Sequence, residues 1–269
     1  MNAPACFVNI AGLGVQIESD FPALTGALAR RYADFSARIA PLCEVYFSWQ
    51  PAPTRTVQPV IPPPVTWSDS GARFTAPEYR GWIDLDNGQA QLHLATDSPL
   101  EGAEYFLRVV YALLALRAGG ILFHAAAIVR NMTTFVFFGP SGAGKSTVAA
   151  FSSGAQVLND DLVVFRPDGG VWWAYGTPFW NPTQVRPSPG SAPLGVFLRL
   201  HQAQEVAVTN LDGASALAEF LACVPVLPTN PAFVPRLVEL GATLFSHIPA
   251  YRLFFRKDAS FWPLVESLI

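Results

Sequence analysis

Phe135-Val-Phe-Phe-Gly-Pro-Ser-Gly-Ala-Gly-Lys-Ser-Thr147 decides the reading: an apolar run passes directly into Gly139-Pro-Ser-Gly-Ala-Gly-Lys-Ser146, which has the form GxxxxGK[ST]. Gly139, Gly142 and Gly144 permit backbone angles that would strain a residue carrying a Cβ, so successive amide N–H groups can turn inward and bind phosphate oxygens. A helix beginning near Lys145 adds the partial positive charge of its N-terminus. The spacing assigns Lys145 to the β/γ-phosphates and the Ser146 hydroxyl to Mg²⁺. Gly139, Pro140, Ser141, Gly142, Ala143, Gly144, Lys145, Ser146 and Thr147 are the expected nucleotide contacts. Average composition produces such a match in roughly one chain per hundred of this length. The preceding Thr133-Thr-Phe-Val-Phe-Phe138 reads as a strand buried on both faces, which is the context a phosphate-binding loop needs.

The chain holds fifteen Arg but only two Lys, Lys145 and Lys257. A compact ammonium suits the phosphate loop where a planar guanidinium does not, while Lys257 reads as an exposed residue. Charged residues make up 14% of the 269 and apolar ones 51%, against about 25% charged in ordinary soluble chains. A charge-poor surface points to a partner or to self-association. The net charge of −3 lacks the basic footprint of a nucleic-acid binder. The N-terminus has no secretory pattern, and the apolar Tyr105–Val129 region is interrupted by Arg108, Arg117, Gly119-Gly120 and His124, so no membrane span is expected. The expected location is the cytoplasm. Cys6, Cys43 and Cys223 are scattered and without CxxC spacing, so they read as buried small hydrophobes.

Residues 1–97 read as a small α+β region, with strands at 7–10, 15–17, 45–49, 82–85 and 91–94 and a helix at 21–32. The proline-rich 51–64 segment reads as an extended connection. Residues 98–269 read as the catalytic region. Ser98-Pro-Leu-Glu101 has the form of a capping box opening a helix that Gly119-Gly120 ends. A strand over 121–129, a turn at Arg130-Asn131, the loop strand, a helix at 145–153 and a strand at 156–165 follow, which is an α/β nucleotide fold. Beyond it, 175–182 reads as a loop, 194–200 and 251–255 as strands, and 214–223, 233–245 and 261–268 as helices.

Asp160-Asp161 follows the apolar run Ala155-Gln-Val-Leu158, where the C-terminal edge of a strand delivers carboxylates to bound phosphates. Side chains alternate along a strand, so both can face one ligand only if the strand ends there. One can hold Mg²⁺ and the other can accept the proton of an attacking hydroxyl. The competing reading is a pair capping a turn. His124 lies in Phe123-His-Ala-Ala-Ala127, and composition alone makes it a hydrogen-bonded core residue.

Leu122-Phe-His-Ala-Ala-Ala-Ile-Val129, Phe138–Thr147 and Val157-Leu-Asn-Asp-Asp161 together resemble the catalytic core of the HPr serine kinase/phosphorylase family, especially its divergent members. The resemblance is specific over about residues 120–165, with weaker echoes at 176–180, 248–253 and Phe261-Trp262. It implies an α/β fold whose P-loop kinase core is similar to that of phosphoenolpyruvate carboxykinase. The implied activity is ATP- and Mg²⁺-dependent phosphorylation of a serine hydroxyl. The family's active-site His matches His124 and its base matches Asp160, with Asp161 beside it; the expected catalytic residues are Asp160, His124 and Lys145, and the expected metal contacts Ser146, Asp161 and Asp160. Two family features are missing: the LEVRGLG-like signature, whose Glu ligates Mg²⁺, is replaced by Val171–Trp180 without any Glu, and the PVRPGRN-like loop has no counterpart. Arg252, Arg256 and Lys257 could supply positive charge in its place. HPr kinases are hexameric, which together with the charge-poor surface favours a homo-oligomer.

The expected function is therefore γ-phosphoryl transfer from ATP to a Ser/Thr hydroxyl of a peptide or protein, with residues 1–97 open to substrate recognition. The alternatives are a nucleotide-gated binding module and a small-molecule kinase.

Overall fold

The computed structural model describes residues 5–51, 65–180, 185–227 and 230–269. Most of the proline-rich connection, the Asn181-Pro182 end of the expected loop and the first four residues lie outside them. The chain is a mixed α/β protein that divides into two compact units, Met1–Arg117 and Ala118–Ile269.

In the first unit, β1 (Cys6–Ile10), β2 (Leu13–Ser19), β3 (Cys43–Gln50), β4 (Val65–Ser68), β5 (Gly71–Thr75), β6 (Tyr79–Asp84) and β7 (Gln89–Ala95) form one sheet in the order β1-β2-β3-β7-β6-β5-β4. β2, β3 and β7 run parallel, joined at β2 and β3 by helix α1 (Pro22–Arg31); the other pairs are antiparallel. The sequence pattern misses β4 and β5, each five residues or shorter and open on alternate residues. Helix α2 (Pro99–Arg117) belongs to this unit, whereas the sequence pattern puts the boundary ahead of it, at 97/98. Its packing gives the reason. Phe106 lies 5.8 Å from Phe47 and 5.1 Å from Phe74 between ring centroids, and the buried Tyr111 hydroxyl donates to the Val8 carbonyl at 3.0 Å. Glu104, on the same helix, is ion-paired with Arg31.

The second unit holds β8 (Ile121–Arg130), β9 (Thr133–Phe138), α3 (Lys145–Ala150), β10 (Gln156–Asn159), β11 (Leu162–Asp168), β12 (Val171–Tyr175), β13 (Ser191–Gln202), β14 (Ala207–Asn210), α4 (Gly213–Leu221), α5 (Val234–His247), β15 (Ala250–Phe255) and α6 (Trp262–Glu266). Eight of its elements form one sheet, in which β8 pairs with β9, β9 with β13, β13 with β12, β12 with β11, and β11 with β8 again. Those five strands form a closed circuit of ladders. β9, β13 and β15 run parallel, so their C-terminal ends share one edge.

Apart from His124 and the polar ends Arg130 and Thr133-Thr134, β8 and β9 are apolar because both faces are covered, as in the sheets of α/β proteins. Phe135 and Phe137 point to one side, where Val148 and Ala149 of α3 and Trp262 and Val265 of α6 complete a core cluster. Phe138 points to the other, where Phe123 stacks on Phe220 of α4 at 4.5 Å and lies 5.4 Å from Phe165, while Phe197 meets Phe245 of α5 at 5.2 Å. Each fully buried Phe is worth about 2–3 kcal/mol of transfer free energy, so this double aromatic layer fixes the position of the strand that ends at the glycine loop. All three cysteines are buried and free, as expected of small hydrophobes. No helix among the described residues is long and apolar enough to cross a membrane.

Candidate functional site

β9 stops at Phe138 and the chain turns through Gly139 (φ 152°), Gly142 (φ 80°) and Gly144 (φ 111°) before α3 begins at Lys145. Gly144, the N-cap of α3, has two reasons to lack a side chain: its φ lies in the left-handed region, and an added Cβ would come within 2.5 Å of the Phe255 ring. The turn is closed internally by the Ala143 N–H donating to the Pro140 carbonyl at 3.1 Å and externally by Gln202, whose side-chain amide donates to the Gly142 carbonyl at 2.9 Å. Lys145 folds back over the loop, its Nζ donating to the carbonyls of Gly139 at 2.9 Å and Pro140 at 3.1 Å. Burial pushes the Lys145 pKa below the ordinary lysine value; Arg199 acts in the same direction, and Asp161 and Asp160 oppose it.

The expected strand over 156–165 is two strands, β10 and β11, broken at Asp160-Asp161. Asn159, fully buried, holds the break open. Its Oδ1 accepts from the backbone N–H groups of Asp161 at 2.7 Å and Leu162 at 3.2 Å, and its Nδ2 donates to the carbonyls of Thr177 at 2.8 Å and Phe179 at 3.0 Å. Thr177 completes the network by donating from Oγ1 to the Leu162 carbonyl at 2.6 Å. The break releases the pair from strict alternation, so both aspartates can lie near the glycine loop, one buried and one partly exposed.

Asp160 is 1% exposed, and neither of its carboxyl oxygens completes a hydrogen bond of ordinary geometry. Burial raises its pKa above the usual carboxylate value; the Ser146 hydroxyl, which approaches it from α3, pulls the other way, and Asp161 adds to the rise. Asp161 has a side chain 26% exposed, with Oδ1 3.2 Å from Nε2 of His124. His124 sits opposite Leu162 in the β8–β11 ladder, its backbone N–H donates to the Cys223 carbonyl, and the neighbouring Ala125 N–H donates to the Asp161 carbonyl, both at 3.1 Å. The structure thus brings Lys145, Ser146, Asp160, Asp161 and His124 into one cluster, with Pro140, Ser141 and Gly142 exposed at its rim.

Of the three basic residues the sequence offers in place of the missing loop, Arg256 is paired with Asp258 at 3.2 Å and Lys257 is exposed. The base that touches the glycine loop is another, Arg199 on β13, together with Cys223, whose buried thiol is raised in pKa by burial and lowered by Arg199, Lys145 and the Gly139 backbone. Sequence reasoning also missed Asn159. The available signals were a charge inside the apolar Leu194-Gly-Val-Phe-Leu-Arg-Leu200 run and an amide directly before an acidic pair.

Among the described residues no group of three or more His, Cys, Asp and Glu is arranged to hold a metal. Mg²⁺ asks for less, one or two protein ligands with water and substrate phosphates completing its shell. The orphaned oxygens of Asp160 beside Ser146 fit such an ion.

No family model matches the chain, and no curated protein matches it in sequence. Among solved structures it is similar to the HPr(Ser) kinase/phosphatase from Coxiella burnetii, with 14% identity and a TM-score of 0.31 over 55% of this chain and 92% of that one.

Proposed function

We propose that the chain binds ATP through the glycine loop and transfers the γ-phosphoryl group to a Ser or Thr hydroxyl of a peptide or protein. One observation carries the reading: beside Lys145 and Ser146 stand two consecutive carboxylates in unlike settings, Asp160 buried against the Ser146 hydroxyl and Asp161 accessible and paired with His124. A phosphoryl-transfer site needs one acid for the metal side and one for the incoming alcohol.

The geometry favours an assignment opposite to the order expected from the sequence. A base must come within hydrogen-bond reach of the proton it takes, which suits Asp161, while Asp160 against Ser146 suits Mg²⁺. Bound there, Mg²⁺ would neutralise charge on the phosphates. In the transfer, the acceptor O–H gives its proton to the Asp161 carboxylate, and the oxygen forms its bond to the γ-phosphorus. The bond from that phosphorus to the β–γ bridging oxygen breaks, leaving its electron pair on ADP. His124 orients Asp161 through the 3.2 Å contact, and Lys145 with the loop amides stabilises the equatorial oxygens.

The test is labelling of candidate peptides and proteins with γ-labelled ATP. Asp161→Asn should lower the rate by at least about 10²-fold, the range of a lost general base, with ATP affinity held within a few-fold. Asp160→Asn should instead weaken Mg²⁺-dependent ATP binding. Labelling that survives Asp161→Asn refutes the assigned base. ATP-dependent partner capture with no phosphate on the partner would mark a nucleotide-gated module instead.

A further inference from the structure

Arg199 stands at the C-terminal end of β13, opposite Phe138 in the parallel β9–β13 ladder, so it arrives at the sheet edge beside the start of the glycine loop. Its side chain is only 13% exposed. Nε donates to Glu219 of α4 at 2.7 Å, and Nη1 donates to the Leu200 carbonyl at 2.9 Å. The same Nη1 lies 2.8 Å from the position a Cβ on Gly139 would occupy, so the guanidinium is laid against the Gly139 backbone. Lys145 reaches that residue from the other direction, with Nζ bonded to the Gly139 carbonyl at 2.9 Å. Two cations are thereby gathered on one glycine in a largely buried place. Like charges so placed repel, and each lowers the other's preference for its charged form unless an anion lies between them. Glu219 answers only the Nε edge of Arg199.

The surroundings indicate which part of a nucleotide would lie there. The Cys223 thiol is within electrostatic reach of both Arg199 and Lys145, and the Cys223 carbonyl accepts from the N–H of His124, the partner of Asp161. In the ladders Arg199 of β13 and Ala125 of β8, next to His124, stand on opposite edges of β9 across from Phe138, so Arg199 and the His124–Asp161 pair flank the start of the glycine loop, and a terminal phosphate held there would lie between them.

Resting on the proposed kinase reading, we infer that Arg199 is a ligand-contacting residue that binds the terminal phosphate of a nucleoside triphosphate, with Glu219 as the positioning residue that aims its guanidinium. A guanidinium held at Nε by a carboxylate can still present its Nη groups to phosphate oxygens, the geometry in which Arg outperforms Lys. It supplies on β13 the positive charge that the sequence offers only from Arg252, Arg256 and Lys257.

Titration calorimetry of the full chain with Mg²⁺-ATP and Mg²⁺-ADP tests this. Arg199→Lys should weaken ATP binding by about tenfold or more, about the worth of one charge-assisted phosphate contact, while ADP affinity changes less than about threefold. Glu219→Gln should give the same selectivity in milder form, and it decides the matter if Arg199→Lys fails to fold by circular dichroism. Equal losses for ATP and ADP, or no loss for either, would overturn the role of Arg199 while leaving the glycine-loop reading intact. Failure of the unmodified protein to bind either nucleotide would overturn both.

Discussion

Asp160 is the residue at which function and stability oppose each other. Burial raises its pKa, so between the ordinary carboxylate value and the folded one the native chain holds a proton that the unfolded chain has released. In that window the unfolded state binds fewer protons, and stability falls as pH rises; above the folded pKa the whole cost of the buried charge is present. Asn removes the charge and keeps the shape. Asp160→Asn should therefore raise the melting temperature of the nucleotide-free protein at pH 7, with the gain shrinking as the pH is lowered towards about 4. Differential scanning calorimetry across that range checks it, and a lower melting temperature at pH 7 would show that the carboxylate is compensated in the fold. At this scale the candidate residues come from three signals, Lys145 and Ser146 from the loop motif, the aspartate pair from the apolar run before it and His124 from the resemblance, and the structure sets them near one another. Which of Asp160 and Asp161 is the buried one was not legible, because that is set by the break after Asn159 and by what packs over it, neither of which the local pattern contains. Arg199 was hidden for a related reason: an Arg inside an apolar run looks like an anomaly until the sheet edge it reaches is known.

Among the elements, the break between β10 and β11 matters most to the site. It is held by a side-chain network rather than by ladder hydrogen bonds, with Asn159 supplying two acceptances and the donations to the Thr177 and Phe179 carbonyls. Removing one member of a buried network strands its partners, at about 1–3 kcal/mol for each buried group left unsatisfied. Asn159→Ala should cost about 3 kcal/mol or more in urea denaturation. In the same variant, phosphoryl transfer should fall further than ATP affinity, because Asp161 loses its anchor while the glycine loop is untouched. A loss below about 0.5 kcal/mol would mean that the segment from Thr177 to Phe179 does not hold the break. The long helices and most long strands were legible from periodicity. β12 and β14 were not: β14 is four mostly exposed residues, and β12 lies in a Trp-rich stretch that offers no clear alternation. The second unit's sheet order was illegible for another reason, since its pairings join residues as distant as His124 and Leu162 or Phe197 and Ala250, and hydrophobic pattern says which residues are inside but not which strands are neighbours.

For the molecule as a whole, the second unit sets a closed circuit of ladders directly behind the glycine loop. Ala127, Ile128 and Val129 of β8 are paired on both edges, with β9 on one and β10 on the other, and the side chains of Ala127 and Ile128 are fully buried. Among the described residues β14 pairs only with β15, and it is mostly exposed. Opening free energies track such differences in packing and edge protection. In deuterated buffer, then, the amides of 127–129 should be the slowest of the unit to take up label and those of 207–210 among the fastest; comparable rates would mean that the ring opens piecemeal. The consequence reaches to the cradle: if 127–129 prove the slowest to exchange, its floor rests on the part of the unit that opens last, and a nucleotide bound there would meet a socket already shaped and spend little of its affinity on ordering it.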